Sequence, residues 1–205
     1  PDIGQTLLIF LAWATLVFIS GISLPIILTF FSFSLLSLIY MVFFIPKFIY
    51  IKNRILSFFN PNDGTHNFQS DKAIDAISSG GYFGKGIGEG TLKNRVPEAH
   101  TDYIISVISE EFGVVAIVLL LILFLFFVYT IFKKINLEKN EKIKLALTGT
   151  VCLIIFQALI HLGVNIRLFP TTGMTLPFLS YGGSSIVGIS ISSGIILNLT
   201  KRKID

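Results

Sequence analysis

The stretch Val96–Gly113, VPEAHTDYIISVISEEFG, places Glu98, His100, Asp102, Glu110 and Glu111 directly before Gly113–Phe132, a run without a single charge. Ionisable groups at the edge of hydrocarbon are costly and usually serve a purpose there. A carboxylate so placed can take the proton of an attacking hydroxyl as a general base, or hold a divalent cation such as Mg²⁺ or Mn²⁺. Asp102, Ser106, Ser109 and Gly113 recur at helical spacing and would share one helix face. Glu111 falls on the opposite side, so Glu110 and Glu111 are not expected to serve one seam; the plainer alternative for the pair is satisfaction by neighbouring helices. Pro97 discourages helix just before it, which makes Thr101 or Asp102 a candidate N-cap, the plainer alternative for Asp102. At a helix N-terminus near Lys85, Lys93 and Arg95, Asp102 is expected to stay ionised with a low pKa.

Three further stretches could meet a ligand. FIPKFIYIKNRILSFFNP interleaves apolar residues with Lys47, Lys52 and Arg54, the pattern of an amphipathic segment lying in a membrane interface or of a solvated helix face. SSGGYFGKGIGEG fails both nucleotide-binding patterns: it has neither Rossmann spacing nor a preceding strand, and Lys85 is followed by glycine. It reads either as a backbone that a ligand can approach closely, with Lys85 at its centre, or as a tight turn. In NIRLFPTTGMTLPFLSYGGSS, Pro170, Gly173, Pro177 and Gly182–Gly183 forbid a continuous helix. Irregular backbone near membrane depth requires burial in protein or a wet cavity, so this stretch reads as re-entrant, with Arg167 at its start and Ser184–Ser185 ready to cap the next span. His161 reads as a packed, hydrogen-bonded residue, and zinc finds no ligand set among three scattered histidines. Cys152 lies inside an apolar run, which leaves no disulfide framework and no thiolate site.

The elements that must position these groups follow from composition. The chain is 53% hydrophobic and 14% charged, against about 25% charged in soluble domains, and its mean hydropathy is +0.79. The expected fold is an all-α polytopic membrane protein with about five transmembrane helices. Two spans, Ile3–Ser20 and Leu24–Phe44, lie within residues 1–45. A long loop follows over 46–101, then spans over 102–133 and 144–165, a re-entrant segment over 166–183 and a last span over 184–200. Lys133, Lys134, Lys139, Lys142 and Lys144 in the short loop, and Lys201, Arg202 and Lys203 in the tail, suit the cytoplasmic side. Alternation then puts the long loop and the re-entrant segment together on the outer face. Boundary lysines account for the net charge of +4, which gives no case for nucleic acid. The apolar first helix opens without a charged leader, as a chain whose start has been removed would.

In order along the chain, PDIGQTLL, NRILSFFNP, GGYFGKGIGEGT, PEAHTDYIISVISEEFG and GMTLPFLSYGGSS closely resemble the signatures of the SEDS family (shape, elongation, division and sporulation). The resemblance covers nearly the whole chain, and GMTLPFLSYGGSS looks more like the division branch, FtsW, than the elongation branch, RodA. Members have about ten spans, so these five would be the later half. Two departures stand out: His161 where an asparagine is often found, and Thr172 where the division branch commonly has lysine.

The resemblance implies a glycosyltransferase that polymerises lipid II into peptidoglycan at the outer face of the bacterial inner membrane. It implies a class B penicillin-binding protein as transpeptidase partner, alongside other divisome or elongasome membrane proteins. The aspartate of the family's PE-x-HTD motif, the proposed catalytic residue, falls on Asp102, either as general base or as holder of Mg²⁺ or Mn²⁺, and no organic cofactor is implied. Glu98, His100, Thr101, Thr172 and Ser184 are the accompanying substrate-binding positions, and Arg54, Lys85, Arg95 and Arg167 are candidates for the pyrophosphate. Two other classes stay open. A lipid II transporter (flippase) would keep essential charges near mid-membrane, and a non-enzymatic divisome scaffold would only recruit its partner.

Overall fold

A computed structural model describes residues 2–59 and 67–201. Arg202 and Lys203 of the basic tail, and Asn60 and Pro61 of NRILSFFNP, lie outside the described residues. All regular structure among those described is helical: α1 (Ile3–Ile19), α2 (Leu24–Phe44), α3 (Ile49–Phe59), α4 (Asn67–Gly80), α5 (Ile104–Leu137), α6 (Glu141–Asn165) and α7 (Gly183–Thr200), with short 3-10 turns at Pro46–Phe48 and Lys93–Arg95. Helices α2, α5, α6 and α7 are long and apolar enough to cross a bilayer, and α1, with 17 residues, sits at the lower limit. The polytopic all-α architecture expected from composition is therefore present.

Local chemistry sets the helix ends. Asp2 caps α1 by accepting from the Gln5 amide, and Asn140 caps α6 by accepting from the Lys142 amide. Pro25 lies in the first turn of α2, where its missing N–H has no intrahelical acceptor to lose. α5 runs one turn further than the uncharged stretch because Lys133 and Lys134 stay helical and their long stems can reach a membrane surface.

α6 is the central element and packs against α1, α4, α5 and α7. Small residues allow close approach: Gly149 faces Leu16, and a side chain on Gly163 would collide with Phe169. One apolar cluster joins Leu8, Ala73, Ala76, Tyr103, Val107, Ile160, Val164 and Met174; another joins Ile131, Leu147, Val151, Ile154 and Ile196 at the opposite end of the bundle. Asp102 precedes α5 at the first end, and the lysine-rich α5–α6 turn and Lys201 lie at the second. The unbroken part of α5 beyond Gly113, residues 114–137, spans about 36 Å at 1.5 Å per residue.

The long loop is more ordered than its sequence suggests. α3 realises the amphipathic segment, and α4, which the sequence reading did not anticipate, packs along the first turns of α5. Ala73 and Ala76 are fully buried there, and a side chain on Gly80 would strike the Ser109 carbonyl. Their spacing with Ile77 was the available helical signal.

The stretch expected to be re-entrant is irregular and packed against the bundle. Residues 166–182 contain no helix and descend beside α6, so that Met174 O accepts from His161 Nδ1 at 2.7 Å and Thr175 O from Gln157 Nε2 at 2.9 Å. Gln157 lies about 12 Å below the end of α6 on the helix rise. The Met174 and Thr175 carbonyls of this irregular backbone are thus satisfied by side chains of α6.

Candidate active site

Asp102 sits in a tight turn. Glu98 adopts the left-handed region, with φ 55°, and its carbonyl accepts from the amides of Thr101, Asp102 and Tyr103 at 3.0–3.3 Å. The same residue's carboxylate accepts from the Thr101 hydroxyl at 3.0 Å. Left-handed backbone at a non-glycine residue persists only where its surroundings over-determine it. Because Glu98 collects these amides, α5 starts only at Ile104, and Tyr103 takes the N-cap position without a side-chain bond. Neither Thr101 nor Asp102 caps the helix, contrary to expectation.

The re-entrant segment braces this turn from the other side. Ser180 Oγ donates to Thr101 O at 2.7 Å, the Tyr181 amide donates to His100 O at 2.9 Å, and Asn165 Nδ2 donates to Asp102 O at 3.0 Å. A Cβ on Gly173, whose φ is 70°, would stand 3.6 Å from Asp102 Oδ2, so bare backbone lies against the carboxylate. Arg54 of α3 donates to Thr171 O at 3.0 Å and contributes the cationic field at Asp102. Burial, then the charge of Glu98, push the Asp102 carboxyl above its ordinary value of 3.8, while the Thr101 hydrogen bond and Arg54 act in the opposite direction. The low pKa expected from the sequence is therefore corrected: desolvation and a like charge outweigh the nearby cation.

The other candidates divide. Glu98, His100 and Thr101 line a cavity of about 530 Å³ together with Lys93, Asn94 and Tyr181. Arg95 is exposed on the 3-10 turn beside that cavity. Thr172 Oγ1 is buried without a hydrogen-bond partner next to the Asp102-facing Gly173. Ser184 opens onto a separate cavity of about 420 Å³ between α1, α6 and α7, which Gly173 also lines, and it does not cap α7, whose N-cap is Gly182. Arg167 is paired with Asp71 of α4 at 2.6 Å.

Lys85 pairs with Glu110 at 3.5 Å, and Lys93 pairs with Glu111. Glu110, fully buried, also accepts from the amides of Leu92 and Lys93 at 2.9 and 2.6 Å, and Glu111 accepts from Gly88 N at 3.1 Å. Both glutamates therefore hold the same glycine loop, which the opposite-faces argument had excluded. The loop wraps the first turns of α5, and α5 breaks at Gly113 (φ 76°, ψ −177°) to receive it. The amides of Lys85 and Gly86 donate to Glu110 O and Glu111 O, and the amides of Val114 and Val115 donate to Gly81 O and Tyr82 O. Asn165 and Ser180 are the functional candidates that sequence reasoning missed. Asn165, one helical turn after His161, was the only visible signal.

Among the described residues, no three His, Cys, Asp or Glu side chains converge as a metal-ligand set. Asp102 with Glu98 supplies the one or two carboxylates that Mg²⁺ takes when substrate phosphates complete its shell, so the donor set fits that mode alone.

A family model for FtsW/RodA/SpoVE, described as cell cycle protein, matches residues 1–204. The chain belongs to this family. It is 37% identical over 204 residues to a protein of Caulobacter vibrioides (strain NA1000 / CB15N) named "Probable peptidoglycan glycosyltransferase FtsW", covering 99% of this chain and 51% of that protein. A protein of the same name from Buchnera aphidicola subsp. Baizongia pistaciae (strain Bp) is 37% identical over 205 residues, with 97% of this chain and 53% of the relative covered. A solved chain described under "Structural coordination of polymerization and crosslinking by a peptidoglycan synthase complex" superposes with a TM-score of 0.67 at 24% identity, covering 100% of this chain and 57% of that one. That likeness shows the fold. The chain spans about half the length of the curated relatives it matches.

Proposed function

We propose that the protein to which these residues belong is a peptidoglycan glycosyltransferase that polymerises lipid II at the outer face of the inner membrane, in septal wall synthesis, with a class B penicillin-binding protein as partner. The observation that carries this reading is Asp102: a carboxylate with a raised pKa, on a strained turn braced through its backbone, whose Glu98, His100 and Thr101 line a cavity. Raising the pKa brings it nearer to working pH, which improves a general base. Asp102 would take the proton of the acceptor hydroxyl as that oxygen attacks the donor sugar, and the lipid diphosphate would leave. Arg54 and Arg95 are the cations nearest in role to that diphosphate, since Lys85 and Arg167 are already engaged by Glu110 and Asp71. A divalent cation held by Asp102 and Glu98 would supply further neutralisation of the leaving group.

The transporter reading is weaker on this arrangement. The cavity between α1, α6 and α7 has Asp2, at the capped start of α1, as its one charged lining residue. A lipid II polymerisation assay with the full-length protein, its transpeptidase and lipid II in detergent tests the proposal. No transport is needed there, so polymer on the gel supports the enzyme and its absence sinks it.

The outer placement of the site has its own test. In a Cys152→Ser background, a membrane-impermeant thiol probe should label Asp75→Cys on exposed α4 and spare Lys139→Cys. Labelling of Lys139→Cys from outside would reverse the orientation.

Asn165 and Ser180 act through the Asp102 turn as positioning residues. Asn165→Ala should lower the polymerisation rate about three- to tenfold, the scale of one hydrogen bond, with little change in KM. Asn165→Gln, which keeps a donor, should restore part of the rate, and an equal loss in both variants would show mere destabilisation.

A further inference from the structure

The glycine loop carries three large apolar side chains that nothing in the bundle covers: Tyr82, Phe83 and Ile87 are 77%, 84% and 78% exposed. Phe83 is the most exposed large hydrophobic residue among those described. Such a cluster on an otherwise polar, glycine-rich loop marks an interaction surface. Its height is fixed by the four backbone hydrogen bonds that join loop residues 81–86 to α5 around Gly113. Gly113 is also where the charge-free run of α5 begins. The neighbouring Phe112, Val114 and Val115 are exposed as well, so the loop tip continues the apolar surface that α5 presents to lipid.

We propose that Tyr82, Phe83 and Ile87 form an interfacial anchor, inserted into the outer-face lipid at the boundary between headgroups and acyl chains. The inference goes beyond glycosyl transfer and rests only on α5 crossing the bilayer. Tyrosine, with its apolar ring and polar hydroxyl, suits that depth. Lys85, between the two apolar positions, turns its ammonium back to Glu110, so its charge is paired within the protein. Glu110 and Glu111 tie the loop to the helix that follows Asp102, so an anchored tip would hold the catalytic turn at a set height above the membrane. Lipid is favoured over a protein partner because the tip is continuous with a surface that lipid must already cover.

The test uses the full-length protein in vesicles, with Trp13 and any other native tryptophan replaced by phenylalanine. Single probes are Phe83→Trp, Ile87→Trp and, as a water-facing control on α4, Asp75→Trp. Phe83→Trp and Ile87→Trp should emit at blue-shifted wavelengths. Lipids brominated near the headgroup end of their chains should quench them most, reporting a depth of about 5–10 Å. Asp75→Trp should be unquenched. Both loop probes emitting as water-exposed and unquenched would overturn the proposal. So would shielding that arises only when the transpeptidase is added, which would make the tip a protein-docking site.

Discussion

Asp102→Asn, in the full-length protein with its transpeptidase, is expected to reduce glycan-chain formation from lipid II by at least about a hundredfold, the scale of lost general acid–base catalysis. The substitution should leave the fold intact, because the turn is held through the main chain: the amide of residue 102 donates to Glu98 O and its carbonyl accepts from Asn165. Insertion and partner co-purification should therefore be unchanged, which separates loss of chemistry from loss of structure. The pH profile gives a second reading. A general base works only when deprotonated, so the rate should fall as pH drops through the Asp102 pKa, and burial places that limb above 3.8. Arg54→Gln removes a cation that lowers this pKa and should move the limb further up. Full polymerisation by the Asp102→Asn protein would contradict the assignment of the base.

Glu110→Ala should be the most destabilising single change in the loop region. Its carboxylate is fully buried and serves the amides of Leu92 and Lys93 as well as Lys85. Truncation strands these donors, at about 1–3 kcal/mol for each one left buried. Thermal unfolding in detergent should show a loss of about 3 kcal/mol, and Glu110→Gln, which keeps one acceptor oxygen, a smaller one. Lys85→Ala should cost less than either, since its ammonium is partly exposed and the pair is long. Equal melting of wild type and Glu110→Ala would show that the loop is not held by this carboxylate.

What the sequence revealed tracks the range of the forces involved. The bilayer forces long uncharged runs, so α2, α5, α6 and α7 could be read from composition, and Pro170, Gly173 and Pro177 exposed the irregular segment because no helix tolerates that spacing. The PE-x-HTD motif pointed to Asp102, but its environment could not be read. The capping argument considered only neighbouring residues, whereas Glu98 in a left-handed conformation takes the amides a cap would serve. The low-pKa argument counted cations close in sequence, yet Lys85 and Lys93 are spent on Glu110 and Glu111 while Arg54 arrives from α3. Arg167 was read as free for substrate and instead meets Asp71, far away in the chain. Each of these pairings is set by tertiary folding. α4 was missed because its buried face is made of alanines and a glycine, which carry little hydropathy signal.

The break at Gly113 also sets how this region opens. In a continuous helix, each amide near the end can fray independently of any loop. Here the amides of Val114 and Val115 are bonded to loop carbonyls, and the amides of Lys85 and Gly86 to helix carbonyls, so neither partner can detach alone. Native-state hydrogen exchange should find these four amides opening as one unit with a single free energy. The first turns of α5, the loop and the Asp102 turn would then be gained or lost together, separately from the rest of the helix below.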